Sequence, residues 1–174
     1  TVSNIGAFWF TEIGPLNEII HIWPYKDMEH RNKSRQDAIE KNFWPPATSD
    51  YIVKMKAEFW NPVSFSPKFK TRDIGPCFEM RTYTFPPNEI EKMLPAWEQN
   101  IEARNNLAPL VGAFVCEIGE INKFMHVWAY KSLQHRTEAR EQFSSIGWPP
   151  KSDAKPPIYM ENKIVIPADF SPIK

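Results

Sequence analysis

Glu18-Ile19-Ile20-His21-Ile22-Trp23-Pro24-Tyr25-Lys26-Asp27-Met28-Glu29-His30-Arg31 is the stretch on which the reading of this 174-residue chain turns, because the chain carries it twice. The second copy is Lys123-Phe124-Met125-His126-Val127-Trp128-Ala129-Tyr130-Lys131-Ser132-Leu133-Gln134-His135-Arg136, 105 positions later. The shared pattern is H-x-W-x-Y-K-x-x-x-H-R, and a further arginine follows each copy, Arg35 and Arg140. All 4 histidines of the chain fall at matching places in these two stretches. Agreement of this kind at fixed spacing marks two copies of one module.

The repetition extends outward. Gly6-Ala7-Phe8 answers to Gly112-Ala113-Phe114, Glu12-Ile13-Gly14 to Glu117-Ile118-Gly119, Trp44-Pro45-Pro46 to Trp148-Pro149-Pro150, and Phe65-Ser66-Pro67 to Phe170-Ser171-Pro172. The period is too long for stacked small repeats. Each copy is therefore expected to be a small domain, an incomplete one over 1–70 and a complete one over 71–174.

In the second copy, 78–85 alternates between Gly75-Pro76 and Pro86-Pro87 and reads as a strand. Residues 87–107 place Ile90, Met93, Leu94, Trp97 and Ile101 near helical spacing, with Asn88 as the expected N-cap and Pro95 as a kink or reset. Strands are expected over 110–117 and 123–130, joined by a turn at Gly119. A helix capped by Ser132 should run to about 144, and 159–166 should form the last strand. The order is βαββαβ, a ferredoxin-like plan. The first copy reads as strand 7–12, strand 18–25, a helix from Asp27 to about 42 and strand 51–60, without the first strand and helix. The expected fold class is thus α+β with two ferredoxin-like repeats, and the strand missing from the first must come from a longer chain or from another molecule. A broken repeat leaves strand edges uncovered, so the chain is expected to form a homo-oligomer.

Composition bounds the function. Lys+Arg and Asp+Glu each number 21, giving formal zero charge, against nucleic-acid binding. No apolar run reaches the length of a membrane span. Two cysteines point to a reducing intracellular setting, with Cys77 and Cys116 expected to be free thiols because a strand should lie between theirs. Metal-ligand spacings, phosphate loops and dinucleotide fingerprints do not occur, so neither a metal nor a cofactor is expected.

On a strand, alternate residues share a face. His21, Trp23 and Tyr25 point one way, as do His126, Trp128 and Tyr130; Glu79, Arg81 and Tyr83 share a face of the strand at 78–85. Two readings of His21 and His126 stand side by side: buried, hydrogen-bonded framework, or general acid and base oriented by Glu79 or Tyr83. The paired arginines, Arg31 with Arg35 and Arg136 with Arg140, sit on or beside the helix face expected to be buried. They read either as ion pairs to Glu12 and Glu117 or as an anion site of two guanidinium forks. His30 and His135 should cap or pair locally.

The runs Ile13-Gly14-Pro15-Leu16-Asn17-Glu18-Ile19-Ile20-His21-Ile22-Trp23-Pro24-Tyr25 with His30-Arg31, Phe78-Glu79-Met80-Arg81-Thr82-Tyr83, His126-Val127-Trp128-Ala129-Tyr130 with His135-Arg136, and Phe170-Ser171-Pro172-Ile173-Lys174 resemble the NIPSNAP family over nearly the whole chain. The resemblance implies the dimeric α+β barrel, in which two ferredoxin-like sheets face each other. On that plan the aliphatic strand faces should pack on helices and the His/Trp/Tyr faces should line the barrel interior. It also implies a mitochondrial setting for a eukaryotic member and leaves bacterial members, cytoplasmic by expectation, without an assigned reaction. Three functions remain open: binding of a small-molecule ligand or protein partner, a small-molecule enzyme working through His126 and His21, and a purely structural oligomer. Catalysis is the less favoured.

Overall fold

A computed structural model describes residues 3–174. The chain forms β1 (Ala7–Ile13), β2 (Ile19–Ile22), α1 (Met28–Glu40), β3 (Phe59–Pro62), β4 (Cys77–Thr84), α2 (Ile90–Leu107), β5 (Leu110–Ile118), β6 (Lys123–Tyr130), α3 (Leu133–Glu141) and β7 (Tyr159–Pro167), with a short 3-10 turn at Ser49–Tyr51. This is a mixed α+β fold on one antiparallel sheet. Among the described residues the sheet has seven strands in the order β2-β1-β7-β4-β6-β5-β3. The two halves interleave: β1 pairs with β7 on one side, and β3 pairs with β5 on the other.

Local chemistry accounts for most boundaries. The Asp27 carboxylate accepts the His30 amide at 2.7 Å and the Ser132 hydroxyl accepts the His135 amide at 3.0 Å, starting α1 and α3. Gly119 (φ 133°) and Asn122 (φ 60°) turn the β5–β6 hairpin. The chain departs from expectation at α2: Asn88 sits at φ 66° and Glu89 is the cap, without a side-chain cap bond. Pro95 stays within α2, the sixth residue of the helix, which continues past it to Leu107. In the first half the strand expected over 51–60 shrinks to Phe59–Pro62, and the one over 18–25 to Ile19–Ile22. Residues 52–58 run outside the ladders, leaving Val53 and Met55 exposed.

Two buried clusters lie on opposite faces of the sheet. One joins Ala7, Trp9, Phe78, Met80, Val111, Phe114, Met125, Val127, Ala129 and Val165, with no helical residue among its buried members. The other joins Trp128, Tyr130, Phe124 and Ala113 to Ile90, Met93 and Trp97 of α2 and Ala139 of α3. The sidedness expected above is therefore inverted. His126, Trp128 and Tyr130 face the helices, and Met125, Val127 and Ala129 face away from them. Strand β6 is buried at every residue, on both faces, so its sequence holds no polar face to mark one side as outer.

Cys77 and Cys116 are free, on β4 and β5 with β6 between them, and burial pushes both thiols up. No helix is long and apolar enough to cross a membrane among the described residues.

Candidate functional site

The β4–β6 register sets Arg81 opposite His126 and Glu79 opposite Trp128. Paired residues of an antiparallel ladder project to the same side, so four polar or aromatic side chains meet on the face beneath α2 and α3. His126 is buried there with its ring edge-on to Tyr83 at 4.9 Å and to Trp97 at 5.0 Å between centroids. The residue that orients it is neither Glu79 nor Tyr83, as the sequence had offered, but Trp128, whose indole N–H donates to His126 Nδ1 at 2.7 Å. An indole nitrogen only donates, so Nδ1 is the acceptor and a neutral imidazole carries its proton on Nε2. Burial, with the charges of Arg81 and Arg104 behind it, holds His126 well below the ordinary histidine range. His126 Nε2 has no hydrogen-bond partner within the protein.

Glu79 is the anionic centre. Its Oε1 accepts from Arg136 at 2.6 Å, Arg81 at 2.9 Å and Asn162 at 3.1 Å, while Tyr130 donates to Oε2 at 3.5 Å. Burial favours the protonated acid, but the Arg136 hydrogen bond and the charges of Arg81, Arg136 and Arg140 outweigh it and hold the carboxyl below its usual value. The expected partner Glu117 instead accepts from Asn61 at 3.1 Å, and Glu12 is exposed. Arg140, one turn beyond Arg136, is exposed and stacks on Phe143 at 5.6 Å. The arginine pair thus divides: Arg136 is tied to Glu79, and Arg140 stays at the rim. Leu133, expected on the buried side of α3, is 48% exposed; Ala139 takes that place.

Arg104 of α2 is the site residue that the sequence reading passed over. It is 1% exposed, donates to Tyr130 Oη at 2.7 Å and lies over the Trp128 ring at 3.9 Å. Its Nε has no partner within the protein. It follows Trp97 and Ile101 at helical spacing, so the periodicity held the signal. Trp148 was equally legible as part of the repeated Trp-Pro-Pro. It packs on Trp97 at 4.6 Å and on Trp128 at 6.0 Å.

These groups enclose a cavity of about 330 Å³ between the sheet, α2, the end of α3 and the proline-rich segment 148–157. Glu79, Arg81, Tyr83, Arg104, His126, Trp128 and Arg140 line it with Trp97, Phe143, Trp148, Lys155 and Met160. Lys155 N–H donates to Glu89 at 2.8 Å, fastening the segment to the start of α2. Tyr130 stands behind the wall, its ring against His135 at 5.8 Å, and Lys131 N–H donates to His135 Nδ1 at 3.2 Å.

In the first half the same contacts recur without an enclosure. Trp23 donates to His21 Nδ1, Lys26 N–H donates to His30 Nδ1 at 3.2 Å, and Tyr25 packs on His30 at 5.7 Å. His21 is exposed, and Trp23 and Tyr25 are half-buried. Arg31 lies over Phe59 at 4.9 Å and bonds Asn32, and Arg35 is exposed; among the described residues neither pairs with the expected Glu12. Met28, expected on the buried side of α1, is 45% exposed, with Ser34 and Ala38 there instead. The structure thus gathers Glu79, Arg81, Tyr83, His126, Trp128 and Arg140 at one cavity and leaves the first-half candidates outside it.

A family model described as NIPSNAP matches residues 1–67 and 78–172. The chain is 28% identical over 174 residues to human protein NipSnap homolog 2, covering 95% of this chain and 60% of that protein. It is 24% identical over 177 residues to protein NipSnap of Drosophila melanogaster, covering 95% and 63%. It therefore spans about six-tenths of the length of these relatives. Among solved structures, a nipsnap family protein of unknown function from Agrobacterium tumefaciens overlays 57% of this chain and 95% of its own, with a TM-score of 0.50 and 33% identity.

Proposed function

The chain belongs to the NIPSNAP family, and on that premise we propose that it binds a small organic molecule in the cavity beneath α2 and α3. One observation carries the reading. A cavity of about 330 Å³, within the range of small-molecule sites of about 300–1,000 Å³, is walled by aromatic rings and contains a buried, neutral histidine whose Nε2–H lacks a partner. Buried donors are ordinarily satisfied. A ligand acceptor at His126 would satisfy this one.

Binding fits better than proton transfer. Nε2 already carries its proton and Nδ1 is occupied by Trp128, so His126 has no free lone pair to act as a base. Its depressed pKa also opposes the charged form that a general acid needs near neutrality. His21 lies outside the cavity.

The test is calorimetry with 2-naphthol and 2-naphthoate on the chain and on Ala154→Trp, which places an indole at a cavity-lining position. Binding that the substitution abolishes supports the reading. Failure of both compounds to bind at millimolar concentration, or binding that survives the substitution in a folded variant, overturns it.

We also infer a duplicated architecture. The element order β4-α2-β5-β6-α3-β7 with strand order β7-β4-β6-β5 supports a ferredoxin-like second repeat. The matched Trp–His bonds and helix caps of the first half support an incomplete first one. With β1 on β7 and β3 on β5, the free edges of β2 and β3 are the places where a first strand of that repeat would complete a barrel. Open edges of this kind favour pairing with another strand, which supports self-association. The two free thiols support a reducing compartment.

A further inference from the structure

The polar inventory of the cavity wall is one-sided. Its two unpartnered buried atoms, Arg104 Nε and His126 Nε2, are both N–H donors. The wall's one carboxylate is taken up elsewhere: both oxygens of Glu79 already accept, from Arg136, Arg81, Asn162 and Tyr130. Arg104 bonds a phenol and a carbonyl and has no carboxylate within ion-pair distance among the described residues. Four cationic side chains line the cavity, Arg81, Arg104, Arg140 and Lys155, against the single Glu79. Glu79 reaches Arg104 only through Tyr130 and is already shared with Arg81 and Arg136, so this buried guanidinium has no carboxylate in direct contact, and a wall of donors recognises acceptors. Much of the remaining wall is apolar, built of aromatic rings, prolines and methionines, with Trp148 packed on Trp97 at 4.6 Å and on Trp128 at 6.0 Å.

Resting on the cavity-binding reading, we propose that the ligand is an organic monoanion: a carboxylate carried on a compact, planar apolar body, its acid group received by Arg104 and His126 and its body held among the tryptophans. Arg140, exposed at the rim, draws the anion toward the cavity. The unpartnered Nε–H of Arg104 and Nε2–H of His126 supply two donors for a carboxylate's oxygens, and the neutral His126 donates without adding a further charge. An isosteric amide presents an N–H₂ to these donors and lacks the charge, so the site discriminates against it.

The experiment compares 2-naphthoate with 2-naphthamide by isothermal calorimetry on the chain, on Arg104→Gln and on Arg140→Gln. The carboxylate is expected to bind at least tenfold more tightly than the amide. Arg104→Gln should erase that preference; Arg140→Gln, a surface change with little bearing on folding, should lower carboxylate affinity several-fold and leave the amide unchanged. Should Arg104→Gln fail to fold by circular dichroism, the Arg140→Gln comparison decides. Equal or tighter binding of the amide overturns the anion assignment while leaving the cavity reading standing. Failure of both compounds to bind overturns both. Carboxylate binding untouched by Arg140→Gln, and by Arg104→Gln where it folds, places the anion elsewhere and overturns the assignment.

Discussion

The indole N–H of Trp128 donates to Nδ1 of His126 at 2.7 Å, two residues away on the same face of β6. That bond fixes the tautomer of a buried imidazole, and with it the sign of what His126 offers to the cavity. Trp23 and His21 repeat the bond on β2 and the residues after it, in the open. Only in the second half is the resulting donor enclosed.

Removing the indole nitrogen should expose the coupling. Trp128→Phe keeps most of the packing and leaves His126 Nδ1 buried without a donor. A loss of about 1–3 kcal/mol is expected in urea unfolding, the usual cost of stranding one buried polar group. The ¹⁵N chemical shifts of the imidazole should also move from a single tautomer toward a mixture. An unchanged tautomer would show that something other than Trp128 sets it.

Glu79 holds Arg136, Arg81 and, through Tyr130, Arg104. Glu79→Gln leaves these guanidiniums facing one another around a neutral amide. Destabilisation of about 3–5 kcal/mol is expected, as for other broken buried pairs, measured by chemical denaturation at neutral pH. A change below about 1 kcal/mol would mean that the arginines find other counter-charges.

Stability should fall on mild acidification. His126 is held well below its ordinary value of about 6.5 by burial and by the neighbouring Arg81 and Arg104. Between that lowered value and about 6.5 the unfolded chain binds a proton that the folded chain refuses. Stability therefore rises with pH across the window and is lost on the way down, by up to about 1.4 kcal/mol per pH unit. Glu79, held below its usual value, contributes stability that is fully present above about 4.3 and is lost further into acid as pH falls through its folded value. Arg81, Arg104, Tyr83 and Trp97 are the groups facing His126 from β4 and α2. Urea midpoints at pH 7.0, 6.0 and 5.5 should decline for the chain and flatten for His126→Phe; parallel curves would assign the acid sensitivity elsewhere.

Gly75, just before β4, has a φ of 144°, and a Cβ there would lie 2.6 Å from the Tyr130 carbonyl oxygen at the end of β6. Gly75→Ala must shift backbone rather than a side chain. A lowered melting temperature, equivalent to about 1–3 kcal/mol, is expected. Gly147→Ala, also at positive φ but in open space, is the comparison and should cost less.

The open edges of β2 and β3 predict self-association. Light scattering of the purified chain should give a mass above that of one 20.3 kDa molecule. A monodisperse monomer across the micromolar range would count against edge pairing.

Much of this architecture was legible in the residues. The bounds of β6 were legible, the capping chemistry of Asp27 and Ser132 gave α1 and α3 their starts, and the doubled motif put each His and Trp on one strand face, though not their bond. The weak places have physical causes. Residues 51–60 read as a strand, but a strand exists only where a neighbour supplies the ladder, and here pairing with β5 begins at Phe59. Glu117 looked like an arginine partner because it recurs at the same period as the arginines. Glu79 won because the register of β4 on β6 carries it beneath α3, a relationship between segments far apart in the chain.

By itself, the sequence determined which side chains share a face, because the two-residue period of a strand is a property of the local backbone. It also determined the helix starts, since a cap is made within one turn. Which face the helices cover was decided only by tertiary structure. Both faces of β6 are buried, so burial leaves no polar mark to distinguish them. Placed beneath α2, α3 and the proline-rich segment, the His/Trp/Tyr face lines a cavity rather than the opposite, helix-free side of the sheet. Arg104, from a helix some twenty residues before β6, completes its polar wall because packing brought it there.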